Sequence, residues 1–235
     1  MEIVMGTSRV VVTGAAGALG GVVATHFLMA GHPVVLVDRD EAALRQAYAD
    51  TPGDMTFVAV DLTNGDATRE ALGNVLDSQP AGVLCNIAGG FTMGTAVHDG
   101  NGSDWQQMLT MNLNTMLNAC RAVVPGMVVA GAGKVINIAA ASATSGKAMM
   151  GAYCASKDAV ARATESMAME LRERGINVNA VAPSIIDTPA NRDAMPDADP
   201  ARWVSPEKLA SVIGFLASDD ASAIHGAIIP VVGLS

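Results

Sequence analysis

Residues 10–20 read VVVTGAAGALG, a run of β-branched residues that leads directly into a glycine-rich turn. The valines predict a buried strand, and the residues after Gly17 predict the start of a helix. Gly14 allows a tight turn, Gly17 lets backbone amides approach a pyrophosphate, and Gly20 lets the helix pack closely on the strand. The phosphate charge would then lie at the positive amino end of the helix. Gly and Ala are abundant in this chain, so the pattern gains weight only from its place between strand and helix.

The alternation of short apolar runs and longer helical stretches continues along the whole chain. Seven near-continuous apolar runs, typical of strands buried on both faces of a parallel sheet, are predicted at residues 9–13, 33–37, 55–60, 82–86, 134–139, 177–182 and 227–232. Helices are predicted between them, at residues 18–30, 41–49, 66–78, 104–124, 152–174 and 206–217. This order predicts an α/β fold over residues 1–235, a single Rossmann-type domain with a doubly wound parallel sheet of about seven strands and helices on both faces.

Composition excludes several classes of protein. Half of the 235 residues are hydrophobic and eight are aromatic, which excludes a disordered chain. The longest apolar stretch, residues 122–139, is interrupted by Pro125 and Lys134, and spanning a membrane needs about 20 uninterrupted apolar residues. A net charge of -9 without a basic run argues against a nucleic-acid surface. Three widely spaced cysteines and no visible secretory signal in residues 1–8 predict a cytoplasmic protein without a metal site.

An acidic residue at the end of the second predicted strand bears on the choice of cofactor. Asp38 follows Gly20 by eighteen residues, where a carboxylate can accept hydrogen bonds from both adenosine ribose hydroxyls and repel a 2′-phosphate. This favours NAD over NADP. Arg39 could instead pair with such a phosphate, which keeps NADP as an alternative. Asp38 could also be a helix amino-cap beside Glu41.

Two further stretches follow the carboxyl ends of predicted strands, where ligands bind in open α/β sheets. Asp61 and Leu62 could contact the adenine, or Asp61 could cap the helix that contains Asp66. Residues 188–204 follow the strand that ends near Ala182 and contain three prolines and three aspartates. They are predicted to form a mobile flap over the substrate, with a plain surface loop as the alternative.

Tyr153 is one of two tyrosines in the chain, and Lys157 is one of four lysines. Residues four apart share a helix face, so the two side chains are predicted to be neighbours. A nearby ammonium and the amino end of a helix both favour the phenolate, so the pKa of Tyr153 is predicted to fall below about 10. Such a tyrosine can exchange a proton with an alcohol or a carbonyl near neutral pH. Taken alone, the pair is better explained by a packing tyrosine and a solvated lysine.

The order of these motifs resembles that of the classical short-chain dehydrogenase/reductase family. The resemblance runs from about residue 10 to the carboxyl end through the glycine turn, Asp61-Leu62, residues 86–89 (NIAG), Asn112, residues 153–157 (YCASK) and residues 183–188 (PSIIDT). It implies an NAD(P)-dependent oxidoreductase that interconverts a secondary alcohol and a ketone or other carbonyl by hydride transfer. It also implies an assembly of two or four copies.

The resemblance assigns roles to individual residues. Tyr153 would be the general acid/base, and Lys157 would hold the nicotinamide ribose hydroxyls and lower the tyrosine pKa. Asn112 would anchor a water that relays protons through Lys157, unless it is a helix-interior asparagine that bonds backbone. The implied cofactor-binding residues are Gly14, Ala16, Gly17, Ala18, Leu19, Gly20, Asp38, Arg39, Asp61, Leu62, Asn86, Ala88, Gly89, Tyr153, Lys157, Pro183, Ile186 and Thr188.

The chain departs from the family pattern at four places. Ala18 replaces the middle glycine of the turn, Ile87 replaces a second asparagine, and residues 224–234 lack the usual carboxyl-terminal motifs. Ala140 stands where the catalytic serine is expected, thirteen residues before the tyrosine. On a strand-like backbone, Ser142 would point to the same side about 6.6 Å further along and could replace that serine as a catalytic residue. A plain loop serine is the equal alternative.

The predicted loops also supply candidates for the substrate pocket. They are mostly methionines and aromatic residues, which predict a small or medium apolar alcohol or ketone: Phe91, Met93, Met149, Met150, Met195 and Trp203. Lys147 could meet an anionic group, although a solvated lysine explains it more simply. The missing serine motivates a second hypothesis, a catalytically impaired nucleotide-binding or regulatory protein of the same fold. A third, cofactor-dependent epimerisation or dehydration, has no positive support.

Overall fold

The computed structural model describes residues 8–77, 79–99 and 102–235, and within them seven parallel strands form one sheet. The strands are β1 (Val10–Thr13), β2 (Val34–Asp38), β3 (Met55–Ala59), β4 (Val83–Asn86), β5 (Gly133–Ile138), β6 (Ile176–Pro183) and β7 (Ile228–Val231), in the spatial order β3-β2-β1-β4-β5-β6-β7. Each predicted strand is present and its bounds shift by at most one residue. The predicted fold class, a doubly wound parallel sheet, is confirmed.

Eight α-helices connect the described strands: α1 (Ala18–Met29), α2 (Glu41–Ala47), α3 (Gly65–Leu76), α4 (Ser103–Met108), α5 (Thr115–Ala130), α6 (Gly151–Leu171), α7 (Pro189–Ala194) and α8 (Pro206–Ala217). A π-helical turn, Leu109–Asn114, joins α4 to α5. Asp40 caps α2 by accepting a hydrogen bond from the Ala43 amide, and Asn64 caps α3 in the same way. The alternatives that made Asp38 and Asp61 the caps are therefore wrong. Residues 1–7 and 78, which entered the sequence predictions, lie outside the described residues.

Successive strand residues point to opposite faces of the sheet, and each face carries its own helix layer. Val10 and Val12 belong to a cluster with residues of α1 and α8, while Val11 belongs to a cluster with residues of α3 and α5. Both clusters are built mainly from Val, Leu, Ile, Ala and Met. Burial on both faces explains why the strands read as continuous apolar runs instead of alternating ones.

Residues 103–130 form one long apolar helical stretch. By length and composition alone, Ser103–Ala130 could cross a membrane, but a core helix passes the same test. Met116, Ala119 and Val123 are buried in the cluster between this stretch and the sheet, so it packs here as a core helix. The predicted apolar stretch 122–139 is divided between the end of α5 and β5.

A row of buried polar side chains fastens α6 to the centre of the sheet. Asn86 Nδ2 donates to Asn137 Oδ1 at 2.8 Å, and Asn137 Nδ2 donates to Thr164 Oγ1 at 2.8 Å. Thr164 Oγ1 in turn donates to the Val160 carbonyl of its own helix at 2.8 Å. The row thus fixes α6, which carries Tyr153 and Lys157, relative to β4 and β5.

Replacement of Asn137 by alanine should destabilise the fold. The Asn137→Ala change leaves the buried Asn86 amide without its strong acceptor and Thr164 without its donor, at a cost of about 2–4 kcal/mol in unfolding free energy. Urea denaturation followed by circular dichroism measures this change. The exposed Asn114→Ala variant on the neighbouring helical stretch is the control and should stay within about 0.5 kcal/mol of wild type. Equal stability of the two variants would show that the buried row is not needed.

Candidate active site

The glycine-rich turn lies between β1 and α1 and is held from three sides. Gly14 has φ +66°, and a Cβ there would lie 2.9 Å from the Ala88 Cα. A Cβ at Gly20 would overlap the Gly14 carbonyl. Asp38 Oδ2 accepts a hydrogen bond from the Ala16 amide at 3.1 Å. Only glycine therefore fits at the two positions where the turn meets its neighbours.

The Thr13 hydroxyl joins the end of β1 to the segment after β4. Thr13 Oγ1 accepts hydrogen bonds from the Ile87 amide at 3.0 Å and from the Ala88 amide at 3.1 Å. These two bonds bring the Ala88–Gly89 backbone beside the glycine-rich turn. The walls of a crevice at the carboxyl end of the sheet are thereby fixed, where open α/β sheets bind ligands.

Charged side chains lie at the ends of β2 and β3. Both Asp38 oxygens accept backbone hydrogen bonds, because Oδ1 also takes the Arg39 amide at 2.8 Å. Hydrogen bonds from Thr63 are the main cause that holds the pKa of Asp61 below its usual value, and the charge of Arg39 contributes less. Leu62 is buried in the core, so its side chain does not face this edge. The end of β2 thus presents a fixed carboxylate next to the turn.

Asn112 connects the loop after β4 to α6 from its position in the π-helical turn. Its Oδ1 accepts from the Gly90 amide at 2.9 Å, and its Nδ2 donates to the Gly90 carbonyl at 3.1 Å and to Ser156 Oγ at 3.0 Å. Ser156 Oγ donates to the Tyr153 carbonyl at 2.8 Å. Asn112 therefore bonds backbone, but the backbone of a different segment and not of its own helix. Single π-turns occur frequently at functional sites.

Lys157 is buried beside the same loop. Its Nζ donates to the Ile138 carbonyl at 2.8 Å, and burial lowers its pKa to about 8. A Cβ at Gly89 would lie 2.6 Å from Asn112 Oδ1 and 3.5 Å from Lys157 Nζ. The glycine therefore lets the backbone run against both polar groups, and the structure brings Asn112 and Lys157 together as the sequence predicts.

Tyr153 is half-buried near the start of α6, and its ring contacts Phe91 edge to face with centroids 4.8 Å apart. Burial, with a smaller effect of Cys154, raises the pKa of Tyr153 to about 12. The prediction that this pKa falls is therefore wrong for this structure. Lys157 directs its Nζ to the Ile138 carbonyl, and burial disfavours its own charge, so it does not offset the cost of burying a phenolate.

The segment after β5 differs from the prediction as well. Ala140 is buried with an extended backbone, but Ala141–Thr144 forms a 3₁₀ turn. Such a turn has about three residues per turn, so the argument from a strand-like backbone for the direction of Ser142 is wrong. Ser142 is half-buried, and its hydroxyl makes no hydrogen bond to the rest of the described chain. Its catalytic role stays a prediction.

Residues 188–204, the predicted flap, are partly helical. They contain α7 and the 3₁₀ turn Pro200–Arg202, and the Thr188 hydroxyl caps α7 by accepting from the Asn191 amide at 3.3 Å. Trp203 is buried at the end of the segment. Pro183, at the end of β6, and Ile186, two residues before Thr188, lie at the same carboxyl edge of the sheet.

Comparison with known proteins agrees with this geometry. The family model described as short chain dehydrogenase matches residues 8–199. The chain belongs to this family. As a short-chain dehydrogenase it is an oxidoreductase that acts on CH–OH groups with NAD or NADP.

The relatives cover almost the whole of this short-chain dehydrogenase. Galactitol 2-dehydrogenase of Rhizobium johnstonii is 36% identical, over 95% of this chain and 93% of its own length. Meso-2,3-butanediol dehydrogenase of Serratia marcescens is 31% identical, over 95% and 92%. Among solved structures, a gluconate 5-dehydrogenase from Burkholderia cenocepacia in complex with NADP and tartrate has a TM-score of 0.89 at 25% identity, over 97% of this chain and 95% of that one. A 3-oxoacyl-[acyl-carrier protein] reductase from Brucella melitensis with bound NAD has a TM-score of 0.87 at 26% identity, over 96% and 90%.

Sequence reasoning missed the supporting roles of three residues of the dehydrogenase. Tyr48, the second tyrosine, is buried and donates its hydroxyl to the Ala15 carbonyl of the glycine-rich turn at 2.8 Å. Thr13 and Ser156 lie inside recognised motifs, but nothing in a motif shows that they bond a distant segment. The only sequence feature that could have drawn attention to Tyr48 is that the chain has just two tyrosines.

The two tyrosines allow a direct titration. Burial raises the pKa of both Tyr48 and Tyr153, so the free protein should form no tyrosinate below about pH 10, the ordinary pKa of a phenol. Absorbance at 295 nm measures this, and the Tyr48→Phe and Tyr153→Phe variants assign each step. Ionisation of one tyrosine below pH 9 in wild type, absent from Tyr153→Phe, would instead support a phenol activated by Lys157.

Proposed function

We propose that the protein interconverts a secondary alcohol and a ketone, with NAD as the preferred cofactor and Tyr153 as the general acid/base. The observation that carries this is the meeting of Asn112, Lys157 and the Tyr153 backbone around Gly89–Gly90, beside the glycine-rich turn. Three segments far apart in sequence place their polar groups at one edge of the sheet. Such a convergence is typical of a catalytic centre.

The residues present fit a dinucleotide. The α1 helix begins at Ala18 without a side-chain cap, so no side chain occupies its first amides and they could bind a pyrophosphate. Asp38 would hold the adenosine ribose, and Lys157 the nicotinamide ribose. The backbone of Ala88–Gly89 would line the crevice between them. When bound, the nicotinamide supplies the site that gives or takes the hydride.

The preference for NAD rests on the position of Asp38. Two backbone amides fix its carboxylate at the end of β2, where it would repel a 2′-phosphate. Arg39 is exposed and close enough to Asp61 to affect the pKa of that carboxyl, so one acidic group already attracts it. Both NADP and NAD occur in related solved structures, so these structures do not establish a preference for NAD.

Tyr153 is the proposed donor and acceptor of the proton that is transferred in the reaction. In reduction, the Tyr153 hydroxyl donates its proton to the carbonyl oxygen as the hydride reaches the carbonyl carbon; in oxidation, the phenolate accepts the hydroxyl proton as the hydride leaves. A pKa of about 12 keeps the phenol protonated at neutral pH, which is the form that reduction needs. Oxidation requires a lower pKa, and a protonated Lys157 near the bound ribose would provide it.

Ala140 removes one hydrogen-bond donor that the family pattern supplies. The loss of a donor of this kind costs about 10²–10³ in rate. Ser142 is the proposed replacement, because it lies two residues away with no other hydrogen bond among the described residues. A cofactor-binding protein with impaired catalysis is the competing function, and the buried alanine is the observation that favours it.

The relatives leave the substrate open. Galactitol and 2,3-butanediol, named for two of them, are uncharged, whereas gluconate is an anion. An assembly of two or four copies is proposed on the resemblance to the family. A cytoplasmic location is proposed on three cysteines that are all free and buried.

The proposed function predicts tight NADH binding and tyrosine-dependent turnover. NADH should bind more tightly than NADPH by fluorescence titration, and Asp38→Ala should reduce that preference about ten-fold or more, since the repelling charge is removed. In a panel of alcohols and carbonyls, Tyr153→Phe should lower kcat about 10²–10⁴-fold with the NADH affinity retained, because only the proton transfer is lost.

The controls separate the competing functions. Ser142→Ala should lower kcat about 10²-fold if Ser142 replaces the missing donor, and unchanged turnover would show that it does not. Full activity in Tyr153→Phe would contradict the mechanism. NADH binding with no turnover of any compound would support the impaired cofactor-binding protein instead.

A further inference from the structure

A cavity of about 530 Å³ is lined by residues that are next to Phe91 and Tyr153 in the sequence, Thr92 on one side and Ala152 on the other. One wall is formed by residues 92–97, which follow Phe91, and the facing wall by residues 149–152, which precede Tyr153. The Phe91 and Tyr153 rings do not line the cavity themselves, but they contact each other, so the two walls adjoin at this pair of rings. A substrate whose reacting carbon is at Tyr153 would therefore extend the rest of its chain into this cavity.

The rim of the cavity exposes apolar side chains. Met93, Val97 and Met149 line the cavity and are 46–64% exposed, and they account for three of the ten large exposed hydrophobic residues in the described chain. Single exposed apolar residues are ordinary, but a group of them around a concavity marks a ligand site. Of the pocket candidates from the sequence, Met93, Met149 and Met150 line this cavity, whereas Phe91, Met195 and Trp203 do not.

Met149 is held in a strained conformation at this rim. Its φ of +62° makes it the one non-glycine residue with positive φ in the described chain. Its carbonyl accepts a hydrogen bond from the Gly94 amide at 2.9 Å, which ties the two cavity walls together. Strain of this kind persists only where the surroundings fix it, and it concentrates at functional sites. The loop thus keeps the Met149 side chain on the cavity wall.

The polar and charged side chains that line the cavity favour some classes of ligand over others. Hydroxyl groups come from Thr92, Thr95 and Ser103, and the charged lining residues are Asp99 and Asp104. No basic residue is among the described residues that line the cavity. The Thr92 and Thr95 hydroxyls and the Asp104 carboxylate can accept hydrogen bonds from ligand hydroxyl groups, whereas a carboxylate repels an anion. Trp105, with the methionines, provides apolar surface for the carbon chain of a ligand.

We propose that this cavity binds an uncharged polyhydroxy chain next to the reacting carbon and excludes substrates that carry a carboxylate there. The inference rests on the proposed function, because it assigns the reacting carbon to Tyr153. It adds a substrate class, a neutral sugar alcohol or its ketose, and it names Met149 and Asp104 as residues that determine specificity.

The test compares substrates that differ in a single group. Galactitol and xylitol are measured against galactonate and xylonate, in which a carboxylate replaces one terminal CH2OH group, with NAD at saturation. Each neutral compound that is oxidised should have a kcat/KM about ten-fold or more above that of its acid, because the acid meets like charge. Binding should change the fluorescence of Trp105, and this change should disappear in Trp105→Phe. Asp104→Asn should reduce the ratio between alcohol and acid, with unchanged KM for NAD.

Met149 is tested with a pair of variants. Met149→Ala removes the thioether and keeps a side chain at positive φ, whereas Met149→Gly removes the thioether and the strain together. Both should raise the KM of the neutral alcohol by a similar factor, and only Met149→Gly should raise Tm. A glycine variant with higher Tm and unchanged KM would show that Met149 does not determine specificity.

The outcomes distinguish this inference from the proposed function. If NADH binds and some alcohol is oxidised, but the acids react as well as the neutral compounds or better, the substrate class is wrong and the proposed function stands. If NADH binds and simple ketones are reduced, but no polyol reacts or changes Trp105 fluorescence, the inference is also overturned. Failure to bind NADH would instead contradict the proposed function.

Discussion

The cofactor crevice depends on one constraint. The Thr13 hydroxyl accepts two hydrogen bonds from consecutive backbone amides in the segment after β4. Parallel strands bring their carboxyl ends to one edge, but they do not by themselves bring two loops into contact. Thr13 accepts from Ile87 and Ala88, and Gly14 lets the turn lie against the Ala88 backbone. The start of α1 and the Gly89–Gly90 backbone are thereby fixed relative to each other.

A chain of hydrogen bonds connects the catalytic groups to this junction. Gly90 holds Asn112, Asn112 holds Ser156, and Ser156 bonds the Tyr153 carbonyl. Because most of these contacts use backbone atoms, side-chain departures from the family pattern are tolerated. Ala18 is exposed at the start of α1, and Ile87 packs on the core.

Features that depend on the local sequence were predictable, whereas features that depend on contacts between distant segments were not. The strands were predictable to within one residue, because strands that are buried on both faces need apolar residues at almost every position. The raised pKa of Tyr153 could not be predicted from the sequence, because it depends on burial by Phe91 and by other segments that are distant in sequence. The 3₁₀ turn at Ser142 and the π-turn at Asn112 carry no local signal. Tyr48 was missed because its hydroxyl bonds a carbonyl that only the fold brings near.

The affinity of Thr13 variants for NADH tests the central claim most directly. Thr13→Ser keeps the hydroxyl that accepts from Ile87 and Ala88, whereas Thr13→Val keeps the shape and loses it. NADH titration should give Thr13→Ser an affinity close to that of wild type and Thr13→Val an affinity about ten-fold or more weaker, since two amides lose their acceptor. Wild-type affinity in a folded Thr13→Val protein would contradict a cofactor crevice that depends on this junction.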